Sequence, residues 1–585
     1  MRHAVVHTGL IDNAVEARAY QLEAVDEALT GSMLLVLPTA AGKTAVAWMT
    51  IVEMLEKSGG WILFLAPTNG LVDQHVRDLK KIIRNIEENN VISLTGSILP
   101  EKRKALWNSS RIIVATPHVV RNDVLSGKLS LLNCSHLIID EAHHSTGKHP
   151  MAQTAELYNS GAKYPLILGM TASPGSKKEI VAEICERLKI ERIHIRSAKE
   201  SMLSKYLAGL EIQEIVVNVP EKIRHLVTPL ELWINGIVNR ERRKRIYVRS
   251  GNPTFGGLNE ARARAQHAIS LGDSSAFSSI SQIATAMTLN HLINHLLTQG
   301  IAAAREFLDN SYNNGIDLSK SLKNFHKDSR IIELKNILED MDEIHTKVGT
   351  VRRLIRHRLR RDPESKIIVF ATYRNTVESL DRALDDLKDV KSVQVVGQSE
   401  RSGRKGLKPK EQIQILNKFR KGEYNVLVAT SVAEEGLDIP GADLVIFYEP
   451  VGSEIRTIQR RGRTGRHREG EVMVLVAEGT RDENAKISAE RKEENMQRAV
   501  QRIRRKLPRK VHEDLSNIDN FSVEIGEENI SAANFICQIR NENRPEIIEI
   551  DHNESIEEKK IIKSLEPSNF RPRGQKGLEE YDSKK

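Results

Sequence analysis

Apolar residues come in short, unbroken runs through the first third of the chain, and the stretches between those runs have helical spacing. The runs lie at 33–37, 61–65, 111–115, 136–139 and 165–169. Runs without polar alternation predict strands buried on both faces, as in a parallel sheet whose crossovers are helices. Similar runs return at 366–370, 392–396, 425–428, 444–447 and 472–476. The pattern therefore predicts two α/β domains with parallel sheets.

The region between these two domains has a different pattern. Strand-like runs are scarce after Val219, whereas Leu289, Leu292 and Leu296 have helical spacing. We expect a mostly helical insertion here, followed after the second α/β domain by a charged, partly helical tail that is flexible at its end. The predicted domains are 1–200, 201–326, 327–480 and 481–585.

The overall charge favours a polyanionic partner. Lysine and arginine number 87 against 78 acidic residues, a formal net charge of +9. Nucleic acid is the first candidate and an acidic membrane the second, although a solvated surface explains the charge equally well. The three cysteines show no paired spacing, which argues against a disulfide framework or a zinc site. Without a signal peptide or a membrane span, we expect an intracellular protein with no membrane partner, cytoplasmic and nucleoid-associated if the source is prokaryotic.

A phosphate-binding loop is predicted directly after the first apolar run. Gly42, Lys43 and Thr44 end a segment that leads from a strand into a helix, so backbone N–H groups of Thr39, Ala40, Ala41 and Gly42 would face phosphates. Lys43 would reach the β and γ oxygens, and the Thr44 hydroxyl would bind Mg²⁺. The loop departs from the full glycine-rich pattern because Leu37 and Ala40 stand where glycine is usual.

Two carboxylates follow the run at 136–139. Asp140 and Glu141 would emerge at the end of a buried strand, where two charges need a cation or water to compensate them. Asp140 suits Mg²⁺, and Glu141 suits general-base activation of the attacking water. A surface acid pair is the alternative, and the phosphate loop upstream argues against it.

Arginines crowd a short stretch late in the chain. Arg463 and Arg466 are three residues apart and would share a helical face, with Arg460 and Arg461 beside them. Guanidinium groups suit the charge that develops on a γ-phosphate. A basic face that contacts nucleic acid is the alternative, and the pattern does not separate the two.

Together these segments resemble a superfamily 2 helicase, from about residue 15 to residue 480. The matching segments, in the order of that family's motifs, are 20–21, 66–75, 115–117, 140–143 (the DEAH form), 171–173, 369–374, 429–440 and 459–466. The resemblance implies two RecA-like domains that bind ATP and Mg²⁺ between them. The closest likeness is to the archaeal Hef and Fanconi anaemia M type, without its C-terminal nuclease, since Glu490-Arg491-Lys492 lacks the strand that such a nuclease motif follows.

The resemblance also assigns residues that the local pattern does not. Gln21 lies in the segment 20–21 that resembles the adenine-recognising motif, and Arg18 lies nearby; both are expected to contact the nucleotide. Gly436 and Asp438 match a nucleotide-contacting motif, and Gln459 belongs with Arg463 and Arg466 in the catalytic set. Thr68, Thr116 and Thr430 are expected to contact the nucleic-acid backbone. A basic run in the insertion is expected to contact duplex phosphates, with a solvated helix face as the alternative; it comprises Arg240, Arg242, Arg243, Lys244 and Arg245.

The expected activity is that of an ATP-dependent DNA helicase or translocase that remodels forked or branched DNA in repair or replication restart. A separate nuclease or a sliding clamp is an expected partner. RIG-I-like receptors and Dicer share the insertion and prefer double-stranded RNA, so an RNA-dependent ATPase remains an alternative. A non-catalytic nucleic-acid scaffold is a second alternative, supported by the departures at Leu37 and Ala40.

Overall fold

Two parallel sheets, joined by a helical region, form the frame of the protein. The computed structural model describes residues 3–38, 41–84, 90–197, 200–207, 212–313, 320–397, 407, 409–430, 442–450, 471–507 and 515–543. By their contacts, residues 1–539 group as one unit and 540–585 as another. Both parallel sheets and the helical region belong to the first unit.

The first sheet has seven parallel strands and is covered by helices on both faces. Its elements, in chain order, are α1 (Ala19–Thr30), β2 (Met33–Val36), α2 (Lys43–Lys57), β3 (Trp61–Leu65), α3 (Asn69–Ile82), β4 (Val91–Leu94), α4 (Pro100–Ser109), β5 (Ile112–Ala115), α5 (Pro117–Leu125), β6 (Cys134–Ile139), α6 (Pro150–Gly161), β7 (Ile167–Thr171), α7 (Lys178–Arg187), β8 (Arg192–Ile195) and, after the sheet, α8 (Ser201–Leu207). The strand order is β4-β5-β3-β6-β7-β2-β8. All five strands predicted for this domain are present, because branched apolar residues fill both faces of the sheet.

The second sheet has six parallel strands. Its elements are β9 (Ile212–Val217), α15 (Thr346–Arg361), β10 (Ile367–Ala371), α16 (Arg374–Leu384), β11 (Ser392–Val395), α17 (Pro409–Lys421), β12 (Val426–Thr430), β13 (Leu444–Phe447) and β14 (Glu471–Ala477), in the order β11-β12-β10-β13-β14-β9. Strand β9 pairs in parallel with β14, so a segment that the sequence analysis placed in the insertion belongs to this sheet. The two-domain α/β prediction is confirmed.

The region between β9 and α15 is helical, as predicted. It contains α9 (Glu221–Arg243), α10 (Phe255–Ser270), α11 (Ala276–Asn294), a π-helical turn at His295–Gln299, α12 (Ile301–Asn313), α13 (Lys320–Lys327) and α14 (Ser329–Asp340). These helices share one core, in which Ile234, Leu258 and Leu289 are buried. The insertion is therefore a packed helical body with its own apolar centre.

The segment after β14 folds back onto the first domain. The long helix α18 (Arg481–Arg504) buries Met496 and Val500 against α7 and β8. Strands β15 (Ser522–Ile525) and β16 (Glu528–Ser531) form a small antiparallel sheet with β1 (Ala4–Val6), followed by α19 (Ala532–Glu542). Residues 481–507 and 515–539 are thus part of the packed unit, while the exact domain boundaries stay predictions. Among the described helices, none combines the length and apolar character needed to span a bilayer.

Candidate nucleotide-binding site

The phosphate loop connects β2 to α2 at the carboxyl edge of the first sheet. Gly42 precedes the helix with φ +76°, a left-handed conformation that glycine adopts without steric cost. The Gln21 amide nitrogen donates a hydrogen bond to the Ala41 carbonyl at 2.8 Å, and the Tyr20 hydroxyl donates to the same oxygen at 2.9 Å. A Cβ on Gly42 would lie 2.1 Å from the Gln21 nitrogen. Helix α1 therefore fixes the end of the loop at Ala41 and Gly42, and only glycine fits at position 42.

Arg18 lies at the start of α1, beside this loop. Its guanidinium donates to Glu16 and to the Tyr20 hydroxyl, and it stacks 4.8 Å from the centre of the Tyr206 ring. The loop, Tyr20 and Arg18 thus form one connected group. This places two residues that are expected to contact the nucleotide, Arg18 and Gln21, next to the phosphate loop.

Lys43 is the first residue of α2 and is 8 % exposed. Its ammonium donates to the Leu37 carbonyl at 3.2 Å, and its charge acts on the Asp140 carboxylate. Thr44 follows on the first turn of the helix. A cation and a hydroxyl at a helix N-terminus provide the donor set that a nucleotide phosphate and its Mg²⁺ require.

Asp140 follows β6 and lies at the same edge of the sheet. Its Oδ2 is 3.0 Å from Nε2 of His75 on α3, and its Oδ1 accepts from the Glu141 N–H at 3.0 Å. Burial alone would raise the pKa of Asp140, but the His75 hydrogen bond and the Lys43 charge hold the pKa below its ordinary value. The carboxylate is ionised at neutral pH and 15 % exposed, which fits an oxygen ligand for Mg²⁺.

Glu141 has a left-handed backbone, with φ +51°, and a side chain that is 33 % exposed. Its carboxylate lies 3.2 Å from Nδ1 of His143, and the same nitrogen lies 3.2 Å from the Thr171 hydroxyl at the end of β7. His143 therefore connects Glu141 to the hydroxyl of Thr171, the last residue of β7. An accessible carboxylate that directly follows Asp140 can accept a proton from a water molecule.

Two more histidines, His144 and His149, lie in a row beside His143 on the side away from Glu141. The ring of His144 lies 4.2 Å from that of His143 and 5.2 Å from that of His149. Burial, reinforced by the neighbouring histidines, lowers the pKa values of His144 and His149 below the ordinary value. Both rings are therefore neutral at physiological pH, and the negative charge of Glu141 is not cancelled by them.

The three threonines assigned to the nucleic-acid backbone all lie at or just after the ends of strands. Thr68 caps α3 and accepts from the Leu71 N–H at 3.3 Å, and Thr116 caps α5 and is 8 % exposed. Thr430 ends β12 in the second sheet and is buried, and its hydroxyl has no hydrogen-bond partner among the described residues. Helix N-termini at Thr68 and Thr116 can present N–H groups to phosphates.

The basic run of the insertion lies at the end of α9, where Arg240, Arg243, Lys244 and Arg245 are exposed. Some of its charges are engaged within the fold. Lys244 contacts Glu241 and the Ser279 hydroxyl, both at 3.1 Å, and Arg242 donates to the Arg249 carbonyl at 3.1 Å. No charged partner of Arg240, Arg243 or Arg245 lies within 4 Å in the described part of the chain, so these three are the members best placed to meet phosphate.

Comparison with known proteins decides the family. The DEAD/DEAH box helicase model matches residues 18–181, and the helicase conserved C-terminal domain model matches residues 346–468. The crystal structure of the Pyrococcus furiosus Hef helicase domain is similar with a TM-score of 0.62 and 36 % identity, over 80 % of this chain and 98 % of that one. The chain belongs to the Hef-type superfamily 2 helicases.

Curated relatives of this helicase are longer proteins. A putative ATP-dependent RNA helicase of Methanocaldococcus jannaschii is 35 % identical over 85 % of this chain and 62 % of its own length. The ATP-dependent DNA helicase mph1 of Neurospora crassa is 29 % identical over 80 % of this chain and 41 % of its own length. The chain thus spans less than two thirds of the length of these two curated relatives.

Part of the predicted site lies outside the described residues of the helicase. This applies to Thr39, Ala40, Gly436, Asp438, Gln459, Arg463 and Arg466. Within the described chain, β2, β3, β6 and β7 bring Lys43, Asp140 and Glu141 to one edge of the first sheet. His75 was missed as a site residue, although it lies within the segment 66–75 that resembles a helicase motif. The triplet Glu490-Arg491-Lys492 lies within α18, as expected for a segment unrelated to a nuclease.

Proposed function

We propose that this protein is an ATP-driven DNA helicase or translocase that remodels forked or branched DNA. The observation that carries the proposal is the convergence of Lys43 with the Asp140 carboxylate at the carboxyl edge of the first sheet. The family membership and the relatives named as DNA helicases support DNA as the substrate. We further propose that the DNA substrate is forked or branched and that the protein works with a separate nuclease or a sliding clamp.

The described residues have distinct proposed roles in ATP hydrolysis. Lys43 would bind the β- and γ-phosphates, and Thr44 and Asp140 would supply oxygen ligands for Mg²⁺, which would neutralise phosphate charge when bound. Glu141 takes the proton of the attacking water. His75 holds the Asp140 carboxylate in place through its hydrogen bond. Gln459, Arg463 and Arg466 are proposed to complete the site from the second domain.

Movement along the nucleic acid would follow from opening and closing of the two domains. Thr68 and Thr116 lie in the first domain and Thr430 in the second, so a change in their separation would shift backbone contacts along a strand. Backbone contacts carry no sequence information, which suits a motor that acts on any sequence.

The test is phosphate release from ATP in the presence and absence of forked DNA. Glu141→Gln removes the base but keeps the shape of the side chain, and Lys43→Ala removes the phosphate contact. We expect DNA-stimulated turnover to fall by roughly a hundredfold or more in each, with forked-DNA binding retained in Glu141→Gln. Undiminished turnover in both purified variants would refute the assignment and would favour the non-catalytic scaffold.

A duplex-RNA-dependent ATPase is the second candidate. The name of the Methanocaldococcus jannaschii relative, a putative RNA helicase, favours it. Stimulation of ATP turnover by forked DNA and by an RNA duplex of equal length, measured side by side at one salt concentration, separates the candidates. Greater stimulation by RNA would contradict DNA as the substrate.

A further inference from the structure

Helix α15 carries the most one-sided charge in the described part of the second domain. Its sixteen residues, Thr346 to Arg361, include six arginines, one lysine, one histidine and no acidic residue. The lysine, Lys347, is buried and paired with Asp482 at 2.6 Å. The apolar face of the helix, including Val351, Ile355 and Leu359, packs into the core of the domain. The arginines therefore project from the sides and the outer face.

The arginines on the sides of α15 have acidic partners. Arg352 makes two hydrogen bonds with Asp386, at 2.6 and 2.9 Å. On the other side, Arg358 and Arg361 lie 3.2 and 3.7 Å from Glu471. Asp386 and Glu471 thus neutralise charge along the two margins of the helix.

The outer face between these margins has no such partners. Arg353, Arg356 and Arg360, with His357, are exposed, and their spacing of three and four residues puts them on one stripe. No carboxylate lies within 4 Å of the three arginines in the part of the chain that the structure describes, although the charge of Arg356 still acts on Asp386. We call these four residues the α15 ridge.

Like charges one helical turn apart destabilise a helix, so the α15 ridge is unfavourable for folding on its own. A solvated helix face usually relieves such repulsion with glutamates at the neighbouring positions, and α15 has none. A bound polyanion would relieve it instead. Arg353 to Arg360 spans about 10.5 Å of helix at 1.5 Å per residue, which is roughly three base-pair steps of 3.4 Å.

We propose that the α15 ridge is a second surface for the phosphate backbone of a nucleic-acid duplex, additional to the basic run of the insertion. The inference rests on the proposed function. Helix α15 packs on the second sheet through its apolar face and carries the ridge on its outer face. The basic run lies instead at the far end of α9, which starts beside the second sheet and is about 34 Å long. Two such surfaces suit a substrate with more than one duplex arm.

The test measures binding of a fluorescent three-armed fork and of a plain duplex across a salt series, without nucleotide. The triple variant Arg353→Gln, Arg356→Gln, Arg360→Gln removes three contacts. At about 0.9 per phosphate contact, the slope of log K against log salt should fall by about 2 to 3 on the fork. Because no ATP is present, the result does not depend on whether the protein hydrolyses ATP.

Two controls make the result specific. Replacing exposed Lys80, Lys81 and Lys102 by glutamine removes the same charge from the first domain and should change the slope by less than about 1. Replacing the three ridge arginines by lysine should restore the slope. The proposal is overturned if the triple glutamine variant of the ridge keeps an unchanged melting temperature and, on both fork and duplex, loses no more slope than the control variant at Lys80, Lys81 and Lys102. An acidic protein partner would then be the better occupant.

Discussion

Nε2 of His75 lies 3.0 Å from Oδ2 of Asp140, so a residue of α3 holds the carboxylate that is proposed to bind Mg²⁺. His75 is almost fully buried, and its ring also packs 4.4 Å from Phe64. The ring is therefore fixed by packing on one side and orients Asp140 on the other. In metal sites, partners of this kind are nearly as important as the ligands themselves.

We expect His75→Ala to weaken Mg²⁺-dependent ATP turnover by about 10- to 100-fold. The reason is that Asp140 would lose its hydrogen bond and its fixed orientation. Titration of Mg²⁺ at saturating ATP should show a higher half-saturation concentration. His75→Gln keeps a side-chain donor and should recover part of the loss. Equal Mg²⁺ dependence in the alanine variant and the parent protein would argue against this role.

Gly42→Ala should impair ATP binding. The left-handed backbone at position 42 costs a residue with a Cβ about 1 to 2 kcal/mol, and the Cβ would also displace the Gln21 amide from the loop. We expect a rise of roughly tenfold or more in the KM for ATP, since about 1.4 kcal/mol corresponds to a factor of ten. Gly96→Ala is the matched control, because a Cβ there meets no atom within 4 Å. Similar KM values in the two variants would contradict the fixed geometry of the loop.

Much of the frame was predictable because buried strands leave a strong local signal. The missed strands β4 and β8 lie at the two edges of the first sheet, and β8 alternates polar and apolar residues, so their runs are weaker. The partner of β9 is β14, far away in the sequence, and no local pattern encodes that pairing. The contact between His75 and Asp140 was missed for the same reason. Gln21 was assigned by resemblance, but its hydrogen bond to the Ala41 carbonyl is visible only in the three-dimensional structure.

The free energy of unfolding should fall as the pH drops from about 6.5 to 4, partly because of His345. Burial, together with the charge of Lys347, lowers the pKa of His345 to about 4, although the Leu297 carbonyl raises it. Its Nδ1 accepts the Lys347 N–H at 3.2 Å, and its Nε2 lies 3.0 Å from that carbonyl, so the neutral ring is fully bonded. The unfolded chain, with a histidine pKa near 6.5, binds the proton first, which costs up to about 3 kcal/mol by pH 4.

His345→Asn should flatten this pH dependence. Asparagine keeps the side-chain acceptor at the start of α15 but does not titrate. Urea unfolding at about pH 7.5 and pH 5.0 gives the comparison, and the difference between the two values should be smaller in the variant. The pKa values of His136 and His295 are also lowered to about 4, so some dependence should remain. An identical difference in variant and parent would exclude His345 as a contributor.

Gln299→Ala should loosen the junction between the insertion and the second sheet. The Gln299 amide donates to Glu449 and accepts from the Thr376 hydroxyl at 2.8 Å, and its backbone carbonyl accepts from the Tyr448 hydroxyl at 3.0 Å. Removing the side chain leaves buried polar groups with fewer partners, which should cost about 1 to 3 kcal/mol. Thr288→Val, which breaks only a bond within α11, is the control for urea unfolding. A double variant with Thr376→Val should be non-additive, because both changes remove the same bond.

Val500→Ala tests whether α18 stabilises the first domain. Val500 is fully buried between α18 and the core that contains Val181 and Ile184, although it lies in a segment that the sequence predicts as a charged tail. Loss of two methyl groups from a buried site should lower the free energy of unfolding by about 2 kcal/mol. Ile487→Ala on the same helix is the control, because Ile487 is 48 % exposed and should cost far less. If both variants unfold at the same urea concentration as the parent, the burial of Val500 does not contribute to the free energy of unfolding, and α18 does not stabilise the first domain.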